Sequence, residues 1–151
     1  MKKTKLFNRV AAIVVRDGCV LTHEKVGSTG SIHQALPGGK LEPEETALDC
    51  LQREFTEEFG VRVQADHLLY VAEGFWRRHN RRLHEVVLYF LAHLADPQAE
   101  VRSREPHIAA RWLALDGGLG QLLPAWLREE LPRRAAEGWD GPVRYVVVRD
   151  E

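Results

Sequence analysis

The chain has 151 residues, 44% apolar and 28% charged, the size and make-up of one globular domain able to bury its own core. A formal charge of −1 excludes the overall basic field of a protein that lives on nucleic acid, and Cys19 and Cys50, in different elements and outside any CxxC, exclude a disulfide framework or zinc ribbon. The apolar runs are too short to span a bilayer, and the basic start is followed only by Val10 to Val15 with no cleavage site, so a cytoplasmic protein is expected.

In chain order, Asn8 to Val15 and Cys19 to Thr22, joined by Asp17-Gly18, predict a β-hairpin. Gly27 to Ser31 is a flexible loop by composition, and Leu36-Pro37-Gly38-Gly39 reads as a tight turn leaving a short strand. Glu44 to Phe59 is the strongest helix, with Pro43 at its start, acids in its first turn and Gly60 as its stop. Leu48, Leu51, Phe55 and Phe59 form its apolar stripe.

Val61 to Val63, Leu68 to Phe75 and Leu83 to Leu94 read as strands, with the basic stretch Trp76 to Arg82 connecting the last two. Ala109 to Leu115 suggests a further strand. Leu119 to Glu137 suggests a second helix with turns or breaks at Pro124 and Pro132, and Val143 to Val148 a last strand that either closes its own sheet or pairs across a homodimer. The order lacks regular βαβ alternation, so the fold class is α+β with a mixed sheet, one domain over residues 1–151.

Acid concentrates between Glu42 and Glu58, which suits a metal and a phosphorylated small molecule better than a polymer. At about 100° per residue, Glu57 and Glu58 lie about 60° to one side and 40° to the other of Glu54, so three carboxylates share one helix face. Three unpaired acids this close raise one another's pKa, and a hard cation with oxygen ligands relieves them, Mg²⁺ fitting best and Mn²⁺ remaining open.

The spacing Gly39-x₅-Glu45-x₇-Arg53-Glu54-Phe55-x-Glu57-Glu58-x-Gly60-Val61 resembles the signature of the Nudix (MutT-like) hydrolases, over residues 39–61. A chance match of its seven fixed positions is on the order of 10⁻⁸ to 10⁻⁹ per window at average residue frequencies. The resemblance implies an α/β/α sandwich and a Mg²⁺-dependent attack of water on phosphorus in a nucleoside diphosphate linked to another group. It makes Glu54, Glu57 and Glu58 metal ligands with the Gly38 carbonyl, and Glu45 and Arg53 the residues that orient them. The residues themselves agree only in part: on an unbroken helix Glu45 and Arg53 stand about 12 Å apart along the axis, so the chain at Glu45 must leave the helix or a relay must intervene.

The general base varies in this family. Outside the box the candidates are Glu100 and Glu105, Glu105 being preferred. Trp76, Arg78, His84 and Glu85 are candidate substrate contacts, an indole to stack a base and a guanidinium to hold phosphates. Leu21 to Lys25 continues poorly the extra motif of coenzyme A pyrophosphatases. Trp76 stands where ADP-ribose pyrophosphatases often carry proline, and Arg77 and Arg78 where diadenosine polyphosphate hydrolases often carry tyrosine. Nucleoside triphosphates or nucleotide sugars are the expected substrates, with no membrane or nucleic-acid polymer as partner. The alternative is a catalytically idle domain that senses nucleotides or binds a protein, which the retained carboxylates disfavour.

Overall fold

In a computed structural model, which describes residues 3–149, one mixed nine-stranded sheet carries a helix on each face. β1 (Lys5–Arg16) turns through Asp17 and Gly18, both at positive φ, into β2 (Cys19–Val26), as the Asp-Gly pair requires. β3 (Ile32–Ala35) pairs with β2, and after Leu36 and Pro37 comes a further strand, β4 (Gly38–Lys40), antiparallel to β1. The expected tight turn at Leu36 to Gly39 is thus corrected: lacking a side chain, Gly38 lets β4 lie against β1, where a Cβ on Gly38 would overlap the Val10 carbonyl.

The helix α1 spans Ala47–Phe59, three residues shorter than expected. Thr46 caps it, its hydroxyl accepting from the Asp49 N–H at 3.1 Å, and Glu44 sits at φ 65°, outside any helix. The acids of Glu44 and Glu45 therefore belong to the loop, not to the first turn. At the other end Gly60 takes the left-handed conformation and its N–H reaches the Thr56 carbonyl. The buried stripe is Cys50, Leu51, Phe55 and Phe59. Leu48, in the first turn, is instead exposed, and Cys50 fills that end of the stripe.

β5 (Val63–Arg78) and β6 (Arg81–Leu94) form one long hairpin, joined by His79-Asn80, both at positive φ. The basic stretch is therefore mostly strand. Register shifts at Ala65/His67 and Leu68/Tyr70 let β5 run on through the polar residues that had divided it in sequence. β7 (Ile108–Ala114) pairs with β2, and β8 (Leu122–Leu123) pairs parallel with β3. A cis Leu123-Pro124 bond then precedes α2 (Leu127–Ala136), which starts eight residues later than expected and continues through Pro132. β9 (Arg144–Arg149) lies parallel to β5 at the sheet edge, within its own chain.

Two cores flank the sheet. On one face Val10, Ala12 and Val14 of β1 pack with Leu51, Phe55 and Phe59 of α1, each fully buried large side chain contributing roughly 1.5–3 kcal/mol. On the other, Ala11, Ile13, Tyr70 and Tyr89 pack with Leu127 and Leu131 of α2. The sandwich is α/β/α, as the resemblance implies. No helix among the described residues is long and apolar enough to cross a membrane.

Candidate active site

The site is built where β4 meets α1. Because Thr46 starts the helix after a left-handed turn at Glu44, Glu45 folds back along it, and Arg53 Nε reaches Glu45 Oε2 at 2.7 Å with Nη2 on Oε1 at 3.0 Å. The chain does leave the helix, which settles the 12 Å problem without a relay. The same guanidinium donates to Glu54 Oε1 at 3.0 Å and to the Lys40 carbonyl at 3.2 Å, and lies 3.5 Å from Glu57 Oε2. One arginine thus ties the loop, β4 and the carboxylate face together.

The electrostatics follow from these contacts. The Arg53 bonds hold the Glu45 carboxyl down at about 2, so it is a fixed anion. Glu54 is shifted the other way. Burial pushes its carboxyl above the usual value and the Glu58 and Glu57 charges add to that, while Arg53 pulls it back. Its carboxylate occupies the space a side chain on Gly39 would fill. Glu58 is half-buried, and His23 of β2 brings Nδ1 to 3.5 Å from its Oε2. That Nδ1 atom is buried with no hydrogen-bond partner. His23 was not singled out in sequence, being 35 positions from Glu58; the two meet only once β2 pairs with β1 and α1 packs on the sheet.

Among the described residues no three acidic, histidine or cysteine side chains are gathered around one point at metal distance. The donor chemistry nonetheless suits a hard divalent cation: Glu54 and Glu58 offer oxygen at a half-buried face, Glu54 is burdened with neighbouring negative charge, and the missing Cβ of Gly39 leaves room for the Glu54 carboxylate. Gly38, the residue before Gly39, lines a cavity of about 600 Å³ on the α2 face of the sheet.

Trp76, Arg78 and Glu85 line that cavity with Arg9, above a floor that includes Tyr89 and Trp126. A Cβ on Gly74 would crowd the Trp76 indole at 2.7 Å, so Gly74 leaves the room in which the ring lies along β5. His84 stands apart from the other three. Strand alternation turns it to the opposite face, where it stacks on Phe75 at 4.3 Å and bonds Glu73 Oε2 at 2.9 Å. Glu105 is exposed in the loop before β7, with its N–H on Ser103 Oγ, and Glu100 pairs with Arg102. The neighbouring Arg104 N–H does reach the carbonyl of Glu58 at 2.7 Å, which fixes that loop against the end of α1.

The sequence model of the NUDIX domain matches residues 5–133. The chain belongs to the Nudix family. Among curated proteins, this Nudix chain is 39% identical over 92 residues to the asymmetrical bis(5'-nucleosyl)-tetraphosphatase of Rattus norvegicus, covering 59% of this chain and 60% of that protein. It is 29% identical over 117 residues to the CTP pyrophosphohydrolase of Escherichia coli (strain K12), covering 76% and 81%. Its fold matches the solution structure of the E. coli ORF135 protein with a TM-score of 0.64 at 27% identity, covering 91% of this chain and 96% of that one. The chain thus spans about three-fifths of the tetraphosphatase it matches.

Proposed function

We propose that this Nudix domain is a Mg²⁺-dependent pyrophosphohydrolase that splits a phosphoanhydride bond in a nucleoside polyphosphate. The observation that carries the reading is the junction of β4: Gly38 lines the nucleotide-sized cavity while Gly39 backs onto Glu54, so bound phosphates and the box carboxylates meet at two adjacent residues. Glu54, Glu57 and Glu58, with the Gly38 carbonyl, would hold the cation, which when bound neutralises the bridging phosphates and acidifies the attacking water. Glu45 and Arg53 fix Glu54 in place. Trp76 offers a stacking face, Arg9 and Arg78 pair with phosphate oxygens, and a carboxylate at the site accepts the proton of water as its oxygen bonds to phosphorus and the anhydride P–O bond breaks. Glu58, half-buried beside His23, is better placed for that proton than exposed Glu105.

Likeness to a dinucleoside tetraphosphatase and to a CTP pyrophosphohydrolase supports dinucleoside polyphosphates and nucleoside triphosphates as the first substrates to try. The missing tyrosine near Arg77 and Arg78 weighs less than 39% identity over 92 residues. The test is product release from dinucleoside tetraphosphates, CTP, other nucleoside triphosphates and nucleotide sugars with Mg²⁺ or Mn²⁺. Turnover should fall at least 100-fold in Glu57→Gln and Glu58→Gln, in line with loss of a transition-state charge contact. Saturable nucleotide binding with no turnover of any compound would replace the enzyme by a nucleotide sensor.

A further inference from the structure

The cavity that Gly38 lines is not uniformly suited to anions. Arg9 and Arg78 line it, yet so does Glu85, and a carboxylate there repels every polyphosphate that enters unless the ligand itself donates a hydrogen bond to it. Its place is set by sheet register. Glu85 of β6 stands directly opposite Gly74 of β5, and Trp76, two residues on, lines the cavity from the same face of the hairpin. The Nε1 edge of the indole folds back over Gly74, where a Cβ would stand 2.7 Å from Nε1 and 3.0 Å from Cε2. The Trp76 ring and Glu85 are therefore cross-strand neighbours, the one a stacking surface and the other an acceptor at its edge. The carboxylate is felt at the cavity floor as well: burial pushes the Tyr89 hydroxyl up, and the Glu85 charge adds to that shift. Among the described residues the Glu85 carboxylate has no hydrogen bond and no ion pair.

A carboxylate beside an aromatic ring sorts bases by the groups they present. When ionised it accepts hydrogen bonds and donates none. The exocyclic amino group of cytosine or adenine donates to it, whereas the carbonyl oxygen in that position of uracil or hypoxanthine meets it acceptor to acceptor. Stacking on the indole holds any base and does not discriminate. We propose that Glu85 selects the base of the nucleotide, favouring one with an amino group in that position, while Trp76 carries the ring. The assignment rests on the reading of this cavity as the nucleotide site.

The experiment is calorimetric titration of the full chain with CTP, UTP, ATP and ITP in chelator, which stops metal-dependent turnover. Expected is that CTP binds about tenfold or more tighter than UTP, or ATP than ITP, a single discriminating pair fixing the ring size of the base. Glu85→Gln keeps the shape of the side chain but offers an N–H beside its C=O, so the preference should shrink to within about threefold. The oxo member of the pair should bind that variant more tightly than wild type, a gain that a damaged fold does not produce. Equal affinities within both pairs in the wild type overturn the proposal. So does a Glu85→Gln variant that keeps the wild-type preference, since the carboxylate would then act only as a charge on the phosphates. Binding of none of these nucleotides, in chelator or as non-hydrolysable analogues with Mg²⁺, would remove the nucleotide site altogether and the hydrolase reading with it.

Discussion

At the scale of single residues, the site turns on one cation shared among acids. Arg53 holds the Glu45 carboxyl at about 2 against an ordinary value of 4.5. Because the folded value is the lower one, this contact stabilises the protein above about pH 4.5 and is lost as pH falls toward 2. The melting temperature of Glu45→Gln should therefore lie below wild type at pH 7, with the gap narrowing steadily between pH 4.5 and pH 2; a gap that does not change with pH would disconnect Glu45 from the pair. His23 acts through Glu58. Its buried Nδ1 has no other partner, and an N–H there would orient the carboxylate. Replacing it by Leu should lower kcat by about tenfold or more, as loss of an orienting partner does, while Asn, which offers an amide N–H near the same place, should restore most of the rate. Equal rates for Leu and Asn would reduce His23 to packing.

At the scale of elements, what was legible was what local chemistry encodes. The box carboxylates, the Asp17-Gly18 turn and the Gly60 stop were plain in sequence, because turn residues and helix periodicity are short-range signals. The start of α1 was misplaced because acids before an apolar stripe look like a first turn, although Thr46-x-x-Asp49 already carried the cap. β4 was invisible for the opposite reason: its pairing rests on what Gly38 lacks, and nothing in that residue's own identity names β1 as partner. His23 beside Glu58, and His84 turned away from Trp76, Arg78 and Glu85, depend on sheet register, which a single sequence leaves open. β4 also yields a contrast between neighbours. A methyl on Gly38 meets the Val10 backbone, which cannot give way, so Gly38→Ala should cost about 1–3 kcal/mol in denaturant unfolding. A methyl on Gly39 meets the movable carboxylate of Glu54, so Gly39→Ala should melt close to wild type yet lose most of its activity. A Gly39→Ala enzyme as fast as wild type would show that the position of Glu54 is immaterial.

At the scale of the whole molecule, the last strand of the sheet has no helix over its outward face, where Tyr145 and Val147 are exposed. What anchors β9 is a buried cation. Arg134 of α2 is only 1% exposed, and its guanidinium donates to the carbonyls of Leu69 at 3.1 Å, Pro142 at 2.7 Å and Asp140 at 3.0 Å while lying over the Tyr70 ring. One side chain so joins α2, β5 and the loop that delivers β9, with Arg144 of β9 adding a surface pair to Glu130. Burying a guanidinium is unfavourable unless acceptors surround it, and here three carbonyls do; removing it leaves those acceptors without partners inside the fold. Arg134→Met, which keeps the volume and removes the charge, should therefore destabilise by about 3–5 kcal/mol, measured as a lower denaturant midpoint at unchanged slope. Hydrogen exchange locates the effect: the amides of β9 and of Tyr70 to Phe75 should open first, while α1, packed on the other face, should keep its protection until global unfolding. Uniform loss of protection across both faces would mean that Arg134 supports the core at large and that β9 is held by its parallel pairing with β5 alone.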